Sequence, residues 1–382
     1  MRPYFALPFL LIACGSASTP APQPASGKPF VEKVMATFDS PWAMTFLPDG
    51  DLLVTEKGGK LKLWSAKTGA IQDVPGTLPV SSAGQGGLMD VVLSPTFAKD
   101  SLVYFSFSET RAGGKAVALA RGQLVTSGGA LCDNGGVDCS TPGTPELTNV
   151  EVIFRANQVV SGDGHFSGRI AFSPDGRYLF FTNGERQKFD PAQDPKSTLG
   201  KVLRLTPDGK PAPDNPLAAK GFDPAVWSYG HRNLLGIAFD AQGNLWEQEM
   251  GPRGGDELNL ILPGRNYGWP RASNGSHYDG RDIPDHKSGD GFEPPKVWWN
   301  PVISPGGLMI YSGSLFPQWK GDAFIGGLSS ESLVRVDLNG TEAAKGDQWP
   351  MGGRVREVEQ GPDGAIWLLT DEGRLVKLAP KP

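Results

Sequence analysis

The chain has 382 residues, of which 51 are Gly and 34 are Pro, a composition that disfavours long helices. Apolar residues make up 39%, and 10 Trp and 19 Phe supply the bulk of a sizeable core. The formal net charge of −5 gives no basic face for a nucleic acid, so no nucleic-acid partner is expected.

In chain order, Arg2 and the apolar run YFALPFLLIAC come first. The run is too short to span a bilayer and suits the core of an export signal. It ends at Leu11-Ile12-Ala13-Cys14-Gly15, which resembles a bacterial lipoprotein cleavage box. That resemblance implies residues 1–14 as a signal peptide, a lipid on Cys14, and a periplasmic or cell-surface lipoprotein. The other reading is an ordinary cleaved signal; both export the protein. Residues 15–29 are rich in Ser, Pro and Ala and read as a disordered tether. Everything from 30 to 380 reads as one folded domain.

That domain echoes itself. FLPDGDLLVTEKGGKLKLW (46–64), FSPDGRYLFFTNGE (172–185), FDAQGNLWEQEMG (239–251) and QGPDGAIWLLTDEGRLVKL (360–378) each set a turn before a period-2 strand. Residues 93–109 are a longer variant and 314–328 a degraded one. Six such copies, about 60 residues apart, predict an all-β, six-bladed β-propeller of four-stranded antiparallel blades. Residues 28–38 are expected to supply the strand that completes the last blade. Long loops are expected around 110–165 and 265–305. Within the first lie Cys132 and Cys139. An oxidising compartment would allow a disulfide between them, and with no histidine nearby they make a poor zinc set.

The chain has four histidines, and a lone histidine is most often structural. His165 stands out because Glu185 closes the strand that follows it; a carboxylate there orients the imidazole as in a general base. Arg354 and Arg356 share a face of a strand. They form either a fork for a polycarboxylate or a solvated edge. The loop EQEMGPRGGDELNLI (247–261) places Gly251 and Pro252 just before Asp256 and Glu257. It is either a tight turn or a display of backbone carbonyls. No dinucleotide fingerprint follows a strand and no haem-attachment motif is present.

Six blocks taken together, GQGGLMDVVLSPTF, HFSGRIAF, GKVLRLTPDGKPAPDNP, WSYGHRN, EMGPRGGDELNLILPGRNYGWP and RVREVEQGPDGAIWLLTD, resemble the bacterial soluble glucose and aldose sugar dehydrogenases. These are six-bladed propellers that use pyrroloquinoline quinone (PQQ) and calcium. The resemblance covers about residues 35–378. It implies that the carbonyls of Gly251 and Pro252 hold the calcium, with Asp256 and Glu257 behind them or serving another ion. It implies His165 as catalytic base and Glu185 as its partner. Arg232 and Asn233 would lie beside the quinone, with Arg232 stabilising its charge, and Gln85 near cofactor and substrate. Arg354 and Arg356 would grip PQQ carboxylates. The implied activity is oxidation of the anomeric carbon of an aldose to a lactone by hydride transfer to the quinone, with electrons leaving to an external acceptor. One position departs: Ser329 stands where the family often has a lysine that pairs with a PQQ carboxylate. The aromatic that covers the quinone is Trp298, Trp299 or neither. Two alternatives stand beside this reading: a calcium-dependent propeller lactonase, which needs a cage of carboxylates at the channel centre, and a non-catalytic propeller that has lost PQQ.

Overall fold

The computed structural model describes residues 27–126 and 144–382. The expected signal segment with Cys14, most of the tether, and the Cys132/Cys139 pair lie outside those residues. The rest is a ring of six four-stranded antiparallel sheets. Blade I comprises Pro41–Phe46, Leu52–Glu56, Lys60–Trp64 and Ile71–Val74. Blade II comprises Leu88–Leu93, Leu102–Arg111, Gly114–Val125 and Glu146–Arg155. Blade III comprises Ser167–Phe172, Leu179–Asn183, Lys201–Leu205 and Val226–Tyr229, and blade IV Leu234–Phe239, Leu245–Glu249, Asp256–Leu260 and Val297–Trp299. Blade V comprises Pro305–Ile310, Ala323–Gly327, Ser332–Asn339 and Glu342–Pro350. Blade VI takes Val355–Gln360, Ile366–Thr370 and Arg374–Pro380 from the end of the chain and Phe30–Thr37 from its start.

The repeated turn explains the repeated hairpin. In blades I, III, IV and VI the N–H of Gly50, Gly176, Gly243 and Gly364 donates to the carbonyl three residues back, at 2.8–3.0 Å. All four glycines have positive φ, the conformation that needs no Cβ. The strand N-terminal to each turn is the innermost of its blade. Neighbouring innermost strands touch all the way round, so the ring is closed. Its seam is the N-terminal strand. Phe30 is 2% exposed and meets the rings of Trp319 and Trp349 edge-on at 6.4 and 5.4 Å. Burying that side chain stabilises the closure by about 2–3 kcal/mol.

The expected loop at 110–165 is a correction: much of its described part is strand, within Leu102–Arg111, Gly114–Val125 and Glu146–Arg155. Ala116, Val117, Ala118, Leu119 and Ala120 are all buried. A strand covered on both faces does not alternate, which is why the period-2 signal is absent. Residues 265–305 are mostly loop, as expected, apart from the short pairing of Arg253–Gly254 with Gly275–Ser276 and the outer strand Val297–Trp299.

Two features of the innermost strands prepare the site. Each breaks register with its neighbour within its first few residues, a bulge that re-aims those residues. Within the bulge of blade III, Arg169 fills the axis. Its guanidinium pairs with Glu357 and with Asp90 at 3.3 Å, donates to the Leu235 carbonyl at 2.7 Å and stacks over Trp42 at 4.1 Å. Five blades are thereby tied by one side chain.

Candidate active site

Antiparallel pairing brings two points of every blade to the same mouth: the start of the innermost strand and the exit of the second. His165, Arg232, Asn233, Arg354 and Gln85 precede innermost strands. Lys57, Glu185, Gly251, Ser329 and Asp371 follow second strands. The sequence candidates therefore converge although they are scattered along the chain.

His165 is held on three sides. Its φ of 49° lies in the left-handed region, uncommon for a residue with a Cβ. Its backbone N–H donates to Gln85 Oε1 at 2.6 Å, and its Nδ1 lies 2.5 Å from Glu185 Oε1. A carboxylate can only accept, so Nδ1 carries the proton and Nε2 the lone pair. Nε2 has no partner among the described residues, and the residue is 5% exposed. Burial pushes the imidazole below its ordinary pKa, and the Arg232 charge adds to this against the pull of Glu185. Burial thus favours the neutral ring. Burial works to raise the Glu185 carboxyl, but the hydrogen bond from His165 and the Phe189 amide at 2.6 Å outweigh it and hold it below its usual range.

Arg232 joins this pair to the glycine-rich loop. Its carbonyl accepts the Glu185 N–H at 2.9 Å, and its own amide donates to Glu249. Its guanidinium donates to the carbonyls of Met250 at 2.9 Å and Gly251 at 2.6 Å, and to Tyr278 Oη at 3.1 Å. The Gly251 carbonyl thus faces the site and already accepts from a cation. Asp256 stands behind it. One carboxylate oxygen takes the Gly251 N–H at 2.9 Å and the other the N–H groups of Ile303 and Ser304 at 2.8 and 2.7 Å. Burial pushes this carboxyl up to about 6 against those three donors. Pro252 lines a neighbouring hollow with Phe189, Trp269 and Tyr278.

Glu257 faces elsewhere. Asn259 Nδ2 donates to Glu247, Glu249 and Glu257 at 3.2, 3.4 and 3.4 Å, beneath the loop. His231, Glu247 and Glu249 bring one donor atom each within 4.8 Å of one another, a set able to hold a hard cation. Burial and repulsion from Glu249 push Glu247 and Glu257 well above the usual carboxylate range.

A cavity of about 270 Å³ opens at the mouth. Gln85, Asn233, Arg354 and Arg356 line it, as do Trp42, Lys57 and Met250, which the sequence did not single out. Both arginines share Asp371: Arg354 Nε and Arg356 Nε each lie 2.8 Å from one of its oxygens. Burial works to raise Asp371, and the two arginines more than reverse it, Arg356 foremost. Ser329 does not line the cavity; it is exposed, with its hydroxyl 3.5 Å from the Val302 carbonyl, while its neighbour Leu328 does line it. Trp298 and Trp299 lie on the outermost strand of blade IV, away from the cavity. The aromatics beside Arg232 are Trp269 and Tyr278, at 5.2 and 5.7 Å, and Tyr278 is 70% exposed.

Residues 38–377 match the family model described as Glucose / Sorbosone dehydrogenase. The chain belongs to that family. It is 37% identical to the aldose sugar dehydrogenase YliI of Escherichia coli, over 99% of this chain and 98% of that protein. Among solved structures, the apo form of the soluble aldose sugar dehydrogenase of Escherichia coli superposes with a TM-score of 0.83 at 36% identity, covering 92% of this chain and all (100%) of that one. The PQQ-bound aldose sugar dehydrogenase of Streptomyces coelicolor superposes with a TM-score of 0.72 at 33% identity, covering 94% and 100% of the two chains. As a glucose/sorbosone dehydrogenase family member, the protein is an oxidoreductase.

Proposed function

We propose that the protein is a PQQ- and calcium-dependent aldose sugar dehydrogenase that oxidises the anomeric carbon of a cyclic aldose to a lactone. The observation that carries this is the buried His165–Glu185 pair beside a cavity lined by two guanidiniums, in a chain similar to a PQQ-bound relative. The residues fit the cofactors. Arg354 and Arg356 suit carboxylates, Gln85 and Asn233 offer amides, and the carbonyls of Pro252 and of Gly251, the latter accepting here from Arg232, would be the donors for calcium. When bound, PQQ would supply a hydride acceptor and calcium a Lewis acid.

The chain's own groups do the rest. His165 Nε2 removes the proton of the anomeric hydroxyl as the hydride leaves the same carbon, so substrate loses two electrons and two hydrogens overall. Glu185 fixes the tautomer and stabilises the imidazolium that forms. Arg232 keeps a positive charge beside the site of reduction. Electrons then pass to an external acceptor. Export, with a lipid on Cys14, belongs to the same proposal; labelled palmitate should enter the wild type and not a Cys14→Ala variant.

Against a lactonase stands the channel axis, where Asp90 and Glu357 already hold Arg169. The test is to add PQQ and calcium to purified apo-protein and follow sugar-dependent dye reduction, with lactone hydrolysis in parallel. Dye bleached by an aldose supports the proposal. Lactone cleavage without PQQ would replace it with the hydrolase, and silence in both with a binding module.

A further inference from the structure

Lys57 is a cation whose purpose the catalytic reading leaves unused. It follows Glu56 at the exit of the second strand of blade I, the register position that Met250, Leu328 and Asp371 hold in blades IV, V and VI. Its Nζ donates to the Gly84 carbonyl at 2.5 Å, and both residues line the cavity. It has no carboxylate partner among the described residues. No acidic side chain lines the cavity; of the carboxylates near it, Asp371 is taken by Arg354 and Arg356, and Asp90 and Glu357 by Arg169.

The lysine is also built in. Its N–H donates to the Ser40 carbonyl at 3.0 Å and its carbonyl accepts the Leu88 N–H at 3.2 Å. Its stem crosses Gly87, where a Cβ would fall 2.7 Å from Lys57 Cγ and closer still to its carbonyl. Gly87 has φ of 143°, so both its conformation and its missing side chain make way for this lysine. An ammonium has three N–H groups. One is spent on Gly84 and two remain for a ligand.

We propose that Lys57 binds a carboxylate of the ligand in this cavity, so that the acid groups are gripped along blades VI and I. The reacting end is thereby turned toward His165 and Arg232 on blades III and IV. The proposal rests on the PQQ reading above, PQQ being a tricarboxylate, and it supplies the charge that Ser329 lacks. The cavity's cations, Lys57, Arg354 and Arg356, belong to blades I and VI, whereas His165, which does not itself line the cavity, precedes blade III beside the lining residues Phe166 and Ser167, so a polycarboxylate is drawn to one side.

The test titrates PQQ into the calcium-loaded apo-protein by absorbance, at low and high ionic strength, with thermal melting to check folding. Lys57→Gln should weaken binding by about tenfold and flatten its salt dependence. Lys57→Arg should bind within about threefold of wild type. Ser329→Lys, placed beside Leu328, should restore the Lys57→Gln variant. Equal PQQ affinity and salt slope in wild type and a folded Lys57→Gln variant would overturn the proposal. Trimesate, a tricarboxylate without a quinone, separates it from the cofactor reading. If the wild type ignores PQQ yet binds trimesate through Lys57, the quinone assignment falls and the anchor stands. If neither binds, both fall.

Discussion

Replacing Glu185 with Gln removes one charge and almost no volume, and the hydrogen bonds around it dictate the consequence. Glu185 Oε1 accepts from His165 Nδ1 at 2.5 Å and the Gln187 N–H at 2.9 Å, while Oε2 accepts the Phe189 N–H at 2.6 Å. An amide has one oxygen. If that oxygen stays toward His165, the NH₂ confronts the Phe189 N–H in a buried site, at a cost of about 1–3 kcal/mol. If the amide turns over, the NH₂ donates to Nδ1 and the imidazole proton moves to Nε2, where the lone pair is needed. Either way the base is weakened. The expected fall in kcat is ~10²–10⁴-fold, or about 3–5 kcal/mol of transition-state stabilisation. Because Glu185 raises the His165 pKa, its removal also moves the acid limb of the rate profile to lower pH. The assay is steady-state dye reduction with saturating PQQ and calcium across pH, with PQQ affinity measured separately and expected to hold. A variant within about threefold of wild type, with its acid limb unmoved, would refute the role given to the pair.

Three further outcomes rest on the same geometry. Burial holds His165 below its ordinary pKa, so activity should persist to pH values under ~6.5; stability, in turn, should fall as pH drops below that value, where the unfolded chain takes a proton that the folded ring refuses. Arg169→Met leaves Asp90 and Glu357 buried without their partner and should cost about 3–5 kcal/mol, read by urea unfolding; an unchanged midpoint would remove it as the axial tie. Asp256→Asn disturbs the three N–H groups that aim the Gly251 loop, so calcium affinity by calorimetry should drop about tenfold or more; unaltered affinity would mean that the loop holds its shape unaided.

The hairpins were legible because one turn chemistry repeats. A glycine with positive φ follows a short polar turn, and alternation follows the glycine. The third strand of blade II was not legible: buried on both faces, it has no alternation to read. At the site, His165 and Arg232 sit in short motifs with distinctive neighbours. Lys57 does not. Its meaning comes from its place in the repeat, one residue past Glu56, and from Gly87 in the next blade clearing its path. The roles of Asp256 and Glu257 were equally hidden. Both are acidic, and only the strand Asp256–Leu260 separates them, because adjacent residues of a strand point to opposite sides. Asp256 turns to the loop and Glu257 to the buried carboxylates beside His231.

The most direct test of the account is a calorimetric titration of PQQ into the apo-protein, with calcium and then with a chelator. One equivalent bound with calcium, and binding lost in the chelator, is the predicted result. No heat with calcium present, or the same affinity without it, would contradict a calcium-dependent PQQ site at this mouth of the ring.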